Sequence, residues 1–590
     1  MTSAAAWLML TAPALAGAVG LLSSLKDRVR GGIVAVAGAG MATLAAAVLV
    51  VGRADSVVES EWATFGDLVL TADLALNPVS TAVAFAVATV ALMVQIYSIA
   101  YQRGDDRYGP YAAQISIFTS AMLLVVTADD LIMVLIGWEV MGACSYLLIG
   151  HDRRLAAAPA AAVKAFLVTR FGDAGFLMGV LLLGLHAGTF RISAILASVG
   201  ELDPAVVTAA CLLILAGAVG KSAQFPLHTW LPDAMAGPTP ISALIHAATM
   251  VAAGVYVLVR LLPLYPPSVL DVVAVIAAVS MLLAACAALA TNDLKRVLAW
   301  STVSQVAFMF AAVAVAAPDA AVFHLLSHAG FKALLFLCAG AVITMAGRNA
   351  MSRLGGMWRA APVTFWTLTL GFAALAGVPP LSGFWSKEAV MAALASNPPL
   401  FVAGVVTVAL TGAYCTRAWL LTCFGDGGRS EGVEMRDPEP MLAVPALLGG
   451  AIAWTPVLSP HSTFHVDYIV VVLAATACGC AASYGYWRMR DGADPADVLG
   501  RWRRVPARGF YLDEVQHWVV VRPVRAIAAA TKFVDERIVD GAIETGARTP
   551  HLVARLLAVT QRRGLPGHLL GTVGGIVVIA VVSTACTVLL

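Results

Sequence analysis

The chain has 590 residues, with 37 Lys and Arg against 35 Asp and Glu, and a formal net charge of +2 at pH 7. Only 12% of the residues are charged and 60% are hydrophobic, whereas soluble domains carry about 25% charged residues. With a mean hydropathy of +0.86, this composition excludes a water-soluble fold, and the near-neutral charge gives no ground for nucleic-acid binding.

Runs long enough to span a bilayer as a helix, about 20 residues each, recur along the chain. About 16 spans are predicted, near 4–25, 32–52, 77–100, 112–128, 130–149, 161–187, 205–225, 240–262, 266–290, 295–316, 320–346, 363–395, 399–424, 441–459, 467–487 and 568–590. The first run is followed, not preceded, by Lys26, Arg28 and Arg30, so it reads as a retained span rather than a cleaved signal. The run at 363–395 is too long and too interrupted for one span and reads as a broken helix. Basic residues crowd alternate loops, at Lys26/Arg28/Arg30, Arg103/Arg107, Arg153/Arg154, Lys295/Arg296, Arg348/Arg353/Arg359 and Arg488/Arg490. The positive-inside rule then places these loops in the cytoplasm and both termini outside.

Between Phe510 and Arg563 the pattern changes. Leu512, Val515, Val519, Ile527, Val534 and Ile538 recur at helical spacing among charged residues, and Leu552, Leu556 and Val559 continue the stripe. This is an amphipathic helix on the cytoplasmic side, of about 75 Å if continuous. A helical linker resting on its own domain is the plainer reading. Pro523 and Pro550 are expected to kink it or divide it.

Charges inside spans cost about 2.5–3.5 kcal/mol each on insertion scales and so need a reason. Glu139, Lys164, Arg170, Asp173, Lys221, Lys332, Lys387 and Glu388 all fall within apolar runs. Arg170 and Asp173 are three apart on one helical face. His324, His328 and Lys332 are spaced i, i+4, i+8, and His246 lies in another span. Buried groups whose proton affinity depends on a neighbour's charge are what a proton relay needs. The alternative is that they are satisfied pairs locking helices together. Proline clusters at Pro226, Pro232, Pro238 and Pro240, and at Pro379 and Pro380, each follow or precede a buried lysine within about ten residues. Broken spans at matching places in two halves point to a transporter of inverted repeats.

Nine cysteines sit mostly in apolar runs, with Cys478-Gly-Cys480 the one close pair. No Cys/His spacing suggests a metal site, and no Gly-rich phosphate loop suggests a nucleotide or flavin.

Several segments carry a family resemblance. Gly137–Gly150 (GWEVMGACSYLLIG), Lys221–Met235 (KSAQFPLHTWLPDAM), Gly237–Val251 (GPTPISALIHAATMV) and Asp293–Gln305 (DLKRVLAWSTVSQ), with His324–Leu337 and Ser382–Glu388, resemble the antiporter-like subunits of respiratory complex I. The likeness is greatest to the distal L subunit of NADH:quinone oxidoreductase, in a superfamily shared with Mrp-type antiporter A subunits, hydrogenase subunits and carbon-uptake subunits. The resemblance implies an all-α polytopic membrane protein with two inverted repeats containing broken helices, plus a lateral helix before the last span. The implied organisation is 1–109 N-terminal helices, 110–262 and 263–424 the two repeats, 425–490 additional spans, 508–563 the lateral helix and 568–590 the terminal anchor. It implies a proton relay in which Glu139 partners Lys221, and the Arg170–Asp173 pair modulates that lysine. His246, His324, His328 and Lys332 form a central axis, and Lys387 with Glu388 the exit. Cofactors are expected only in partner subunits, as flavin, iron–sulfur clusters and quinone. Other membrane-arm subunits are the expected partners, contacted along the lateral helix, and the cell inner (plasma) membrane the expected location. An Mrp-type cation/proton antiporter subunit, or a membrane subunit of a hydrogenase or carbon-uptake complex, is the alternative.

Overall fold

A computed structural model describes residues 2–22, 28–65, 68–425, 466–561 and 564–589. The chain divides into two compact units, Met1–Phe510 and Tyr511–Leu590. The boundaries expected at 109, 262 and 424 fall inside the first unit, so the helices on either side of each pack as one body.

In chain order the first unit has α1 (Thr2–Leu22), α2 (Arg28–Val51), α3 (Pro78–Tyr101), α4 (Tyr108–Thr127), α5 (Leu131–Ile149), α6 (Ala157–Ala187), α7 (Ile192–Ala197) and α8 (Pro204–Lys221). It continues with α9 (Trp230–Asp233), α10 (Thr239–Ala247), α11 (Met250–Arg260), α12 (Pro267–Ala290), α13 (Leu294–Ala314) and α14 (Pro318–Ala346). It closes with α15 (Met357–Ala360), α16 (Pro362–Ala376), α17 (Ser382–Leu394), α18 (Pro398–Phe424) and α19 (Val466–Met489).

Across both units, 14 helices among the described residues are long and apolar enough to cross a membrane. They match the predicted spans one for one, apart from two. The expected break in 363–395 is the gap between α16 and α17, and the span at 441–459 lies outside the described residues. One further break is not marked by proline inside the gap: α10 ends at Ala247 and α11 begins at Met250.

Polar side chains close several helix starts, which leave backbone N–H groups without partners in a bilayer. Asp130 accepts from the Ile132 N–H at 2.7 Å, Asp293 from the Arg296 N–H at 2.9 Å, and Asn77 and Ser80 cap each other at the start of α3. Two small two-stranded antiparallel sheets between α2 and α3, pairing Ser56–Val58 with Leu74–Leu76 and Glu61–Phe65 with Leu68–Thr71, add β structure that the apolar-run reading did not anticipate. Asp73 ties this region down, pairing with Arg191 before α7 and accepting the backbone N–H of Asp129 in the α4–α5 turn at 2.8 Å.

The core sits around α10, α11, α13 and α14. The span window in Thr239–Arg260 is wholly buried and that in Leu294–Ala314 94% buried, against 39% in Ala157–Ala187. Lys332 and all three intramembrane histidines named above lie on these central helices, whereas Glu139, Lys164, Arg170 and Asp173 lie on α5 and α6.

In the second unit, helix runs through Leu512–Gln516, Arg522–Phe533 and Asp540–Gln561, joined by π-helical turns at His517–Val521 and Val534–Val539. Neither proline divides it. The first π turn ends at Val521, two residues before Pro523, where proline removes a backbone donor and a wider turn is tolerated. Pro550 lies inside the Asp540–Gln561 helix. The apolar stripe is exposed: Val519, Ile527 and Leu556 are 68%, 67% and 67% accessible. A separate helix, Leu565–Leu589, follows.

Candidate functional site

The site begins where α8 stops. Lys221 is the last residue of α8 and its side chain has no exposure. Its Nζ lies 3.3 Å from Asp173 Oδ2 on α6, and Asp173 is 1% exposed. The two atoms face each other without an aligned hydrogen bond. Trp138 of α5 completes the group: its Nε1–H donates to Asp173 Oδ1 at 2.6 Å, and its ring lies 5.7 Å from the Lys221 ammonium. The ring stacks on Phe176 at 4.5 Å, which holds the indole in place.

Gly142 makes the room. A Cβ there would lie 2.5 Å from Lys221 Nζ, closer than a side chain tolerates. α6 approaches α8 closely for the same reason: a Cβ on Gly172 would lie 2.7 Å from the Ala216 carbonyl.

The expected pairing is exchanged. Glu139 does not face Lys221; it pairs with the Arg170 guanidinium. Glu139 is 30% and Arg170 39% exposed, so this pair sits on the flank of the chain, with Phe166 against the guanidinium. Three residues of a helix separate Arg170 from Asp173 by about 60° around the axis. That angle is enough to send one toward α5 and the flank and the other inward to α8.

Beyond Lys221 the chain unwinds through Ser222–Thr229 and resumes at α9. Asp233 anchors the far end, at 2.6 Å from Lys164 and 2.8 Å from Arg296. His228 within the unwound stretch is 1% exposed, packs 5.7 Å from the Trp300 ring, and neither of its nitrogens has a protein partner.

The second break carries His246. It is the penultimate residue of α10, wholly buried, with its ring 4.7 Å from Phe336 and neither nitrogen bonded to protein. On α14, His328 Nδ1 lies 3.3 Å from the carbonyl of Ala247, the residue after His246. One turn earlier, His324 Nδ1 lies 3.0 Å from Ser386 Oγ, the residue before Lys387. One turn later, Lys332 donates to the Leu298 carbonyl at 3.0 Å and to Ser301 of α13.

The third break is the α16–α17 gap. Gly377 ends α16 with φ +91°, a left-handed conformation that favours glycine. Lys387 of α17 is 1% exposed and donates to the Leu375 carbonyl, which the end of α16 leaves without a helical donor. Glu388 beside it is 2% exposed.

The polar stripe of α14 therefore links the α10 end, at His328, to α17 beside Lys387, at His324. The interhelical contacts give no sequence signal, and Trp138, Ser301, Ser386 and Gly142 were not anticipated. Gly142 is three residues from Glu139 and Ser386 adjoins Lys387, so proximity to the buried charges was the available clue.

Comparison with known proteins bears directly on this arrangement. The model of "NADH:quinone oxidoreductase/Mrp antiporter, TM" matches residues 128–411, and that of "NADH-Ubiquinone oxidoreductase (complex I), chain 5 N-terminus" matches residues 62–112. The chain is 36% identical over 567 residues to NAD(P)H-quinone oxidoreductase subunit 5 of Paulinella chromatophora, covering 84% of this chain and 85% of that protein. It is 40% identical over 427 residues to NADH-quinone oxidoreductase subunit L of Escherichia coli strain K12, covering 69% of each. The chain belongs to the subunit L/subunit 5 family of NADH-quinone oxidoreductases.

Every side chain of the candidate site described above lies inside the matched 128–411 segment. Among solved structures, the Mrp complex from Dietzia sp. DQ12-45-1b aligns with a TM-score of 0.70 at 28% identity. That alignment covers 94% of this chain and 66% of the Mrp chain, so the chain spans just under two thirds of that protein's length. A membrane-bound archaeal sulfane sulfur reductase shares the fold, with a TM-score of 0.68 at 22% identity. Chains of a redox complex and of an Mrp complex thus share this fold.

Proposed function

We propose that this chain is a proton-translocating membrane-arm subunit of an NADH:quinone oxidoreductase, moving protons through its buried Lys, His and carboxylate groups. The observation that carries the reading is α14, whose His328 reaches the α10–α11 break and whose His324 reaches Ser386 beside Lys387 on α17, while Lys332 is held by α13. Breaks expose carbonyls and N–H groups that can rearrange at little cost, and buried polar groups are satisfied by protein or by internal water. Lys221 and Asp173 form the charge pair of the first half. Their mutual attraction at 3.3 Å depends on separation, so a shift of α8 at its broken end changes the strength of that pair.

The chain supplies the path and not the energy. NADH oxidation and quinone reduction, with their flavin and iron–sulfur cofactors, belong in this reading to partner subunits. A partner also explains the Glu139–Arg170 pair. A half-exposed charge pair midway along two spans, beside Phe171 at 75% exposure, is costly against lipid. A second membrane-arm subunit on that flank would bury it. The exposed apolar stripe of Leu512–Gln561 fits the same kind of partner along the membrane surface. In this reading the termini lie outside and that helix on the cytoplasmic face of the inner membrane, as the positive-inside rule suggests for the basic loops. An Mrp-type antiporter is the second reading, carried by the 0.70 TM-score; the higher identity to quinone oxidoreductase subunits, 36% and 40% against 28%, favours the first.

The test is to replace Lys221 with Ala or Glu139 with Gln and measure redox-driven proton pumping in membrane vesicles. The expected result is a reduced proton-to-electron ratio with NADH oxidation retained. Unchanged stoichiometry in a fully assembled complex would refute the relay.

A further inference from the structure

Away from the relay, a cavity of about 520 Å³ opens where the α3–α4 turn, the α5–α6 turn and the Met235–Thr239 stretch meet. Its size is that of a small-molecule site, about 300–1,000 Å³. Its wall is cationic: Arg103, Arg107, Arg154 and Lys295 all line it.

Two carboxylates share the wall, and both are engaged. Asp105 accepts the Arg107 backbone N–H at 2.9 Å and meets His151 Nε2 at 2.5 Å. Partial burial pushes the Asp105 carboxyl up, but the Arg107 N–H, His151 and the Arg107 charge outweigh it, and the group stays below the ordinary carboxylate value. Asp152 accepts the Arg154 backbone N–H at 3.1 Å.

The cations are not matched in this way. Among the described residues, none of Arg103, Arg107 and Arg154 forms an ion pair within 4 Å. Lys295 is 5% exposed and spends two donors on the Met235 and Gly237 carbonyls, each at 2.7 Å. An ammonium has three, which leaves one. Three guanidinium forks around a buried ammonium suit the oxygens of a phosphate, which guanidinium binds in bidentate fashion. The cavity lies at the ends of membrane-spanning helices, and Leu155 on its rim is 51% exposed. Basic pockets between transmembrane helices at a cytoplasmic surface receive anionic headgroups.

We infer that this cavity binds a phosphate group, presented by an anionic phospholipid or as free phosphate. The full chain is purified and reconstituted into nanodiscs of phosphatidylcholine with or without phosphatidylglycerol. Retained lipid is read by native mass spectrometry. Inorganic phosphate is titrated into the phosphatidylcholine discs at constant ionic strength, with thermal stability as the readout. Arg103→Gln, Arg107→Gln and Arg154→Gln are compared singly and together with Arg153→Gln, an exposed neighbour that does not line the cavity.

Each cavity substitution should weaken the ligand by about tenfold, the worth of one charge-assisted hydrogen bond. Arg153→Gln should leave binding unchanged. Retention of phosphatidylglycerol identifies the lipid as source; stabilisation by inorganic phosphate alone identifies the free anion. Wild-type retention and wild-type stabilisation in the triple variant would overturn the site. So would equal losses in Arg153→Gln, which would mean surface charge only.

Discussion

Asp494→Asn tests how the segment after α19 is held to the helices. Arg417 of α18 has no side-chain exposure, and its Nε and one terminal nitrogen meet the two Asp494 oxygens at 2.6 and 2.8 Å. Its other terminal nitrogen donates to the Thr291 carbonyl at 2.7 Å, just past α12. Arg503 adds a third cationic contact to Asp494 at 2.7 Å. The amide keeps the shape of the carboxylate but removes its charge and turns one acceptor into a donor facing a guanidinium. Breaking a buried pair by removing one partner costs about 3–5 kcal/mol, because the other charge stays buried. Burial pushes the Asp494 carboxyl up, and Arg417 and Arg503 more than offset it, so its pKa is depressed. A depressed carboxylate stabilises the fold above its unfolded value, about 3.9, and that contribution is lost as pH falls through the folded value. Unfolding of the full chain in mild detergent, followed by tryptophan fluorescence across the acid range, measures both effects. Asp494→Asn should be destabilised by about 3–5 kcal/mol at neutral pH and should lack that part of the acid dependence. Adding Arg417→Met, which removes the orphaned cation, should recover part of the loss. A single variant within about 0.5 kcal/mol of wild type, the range of ordinary surface changes, would refute the argument. A double variant no more stable than the single one would refute it too.

Two further expectations concern the site. At 3.3 Å and an effective dielectric of about 20, Lys221 and Asp173 attract by about 5 kcal/mol. A double-mutant cycle with Lys221→Met and Asp173→Asn, read on stability, should therefore show stronger coupling than the cycle with Glu139→Gln; the opposite order would contradict the pairing found here. Gly383→Ala should prevent α17 from seating, since its Cβ would lie 1.9 Å from the Ala374 carbonyl, whereas Gly485→Ala, with nothing within 4 Å, should assemble normally. Immunoblotting of the membrane fraction separates the two, and equal accumulation would count against the packing of α16 on α17.

Much of the fold was legible in the order of residues. A bilayer demands a set length of apolar helix, so composition alone located the spans, and Pro379 and Pro380 marked the gap before Lys387. The identities of the buried charges were equally plain, because an ionised group in an apolar run stands out whatever it contacts. The amphipathic stripe before the last helix was read from spacing, although its prolines were expected to interrupt it and a π turn absorbs the first instead. The two small sheets between α2 and α3 went unread, since short strands leave little periodic signal. The α10–α11 break at Ala248 and Thr249 was also invisible, having no proline within it to announce it.

Which charge meets which was decided only by the tertiary structure. Local helical spacing coupled Arg170 to Asp173, and resemblance coupled Glu139 to Lys221. The packing of α5, α6 and α8 exchanged them, because Trp138 and Gly142 on α5 shape a closed pocket that Asp173 and Lys221 enter, while Glu139 and Arg170 remain at the flank. Composition determines that charges must be compensated inside a membrane. Only the close approach of helices distant in sequence determines the partner, since electrostatic attraction depends on distance and burial in space rather than on separation along the chain.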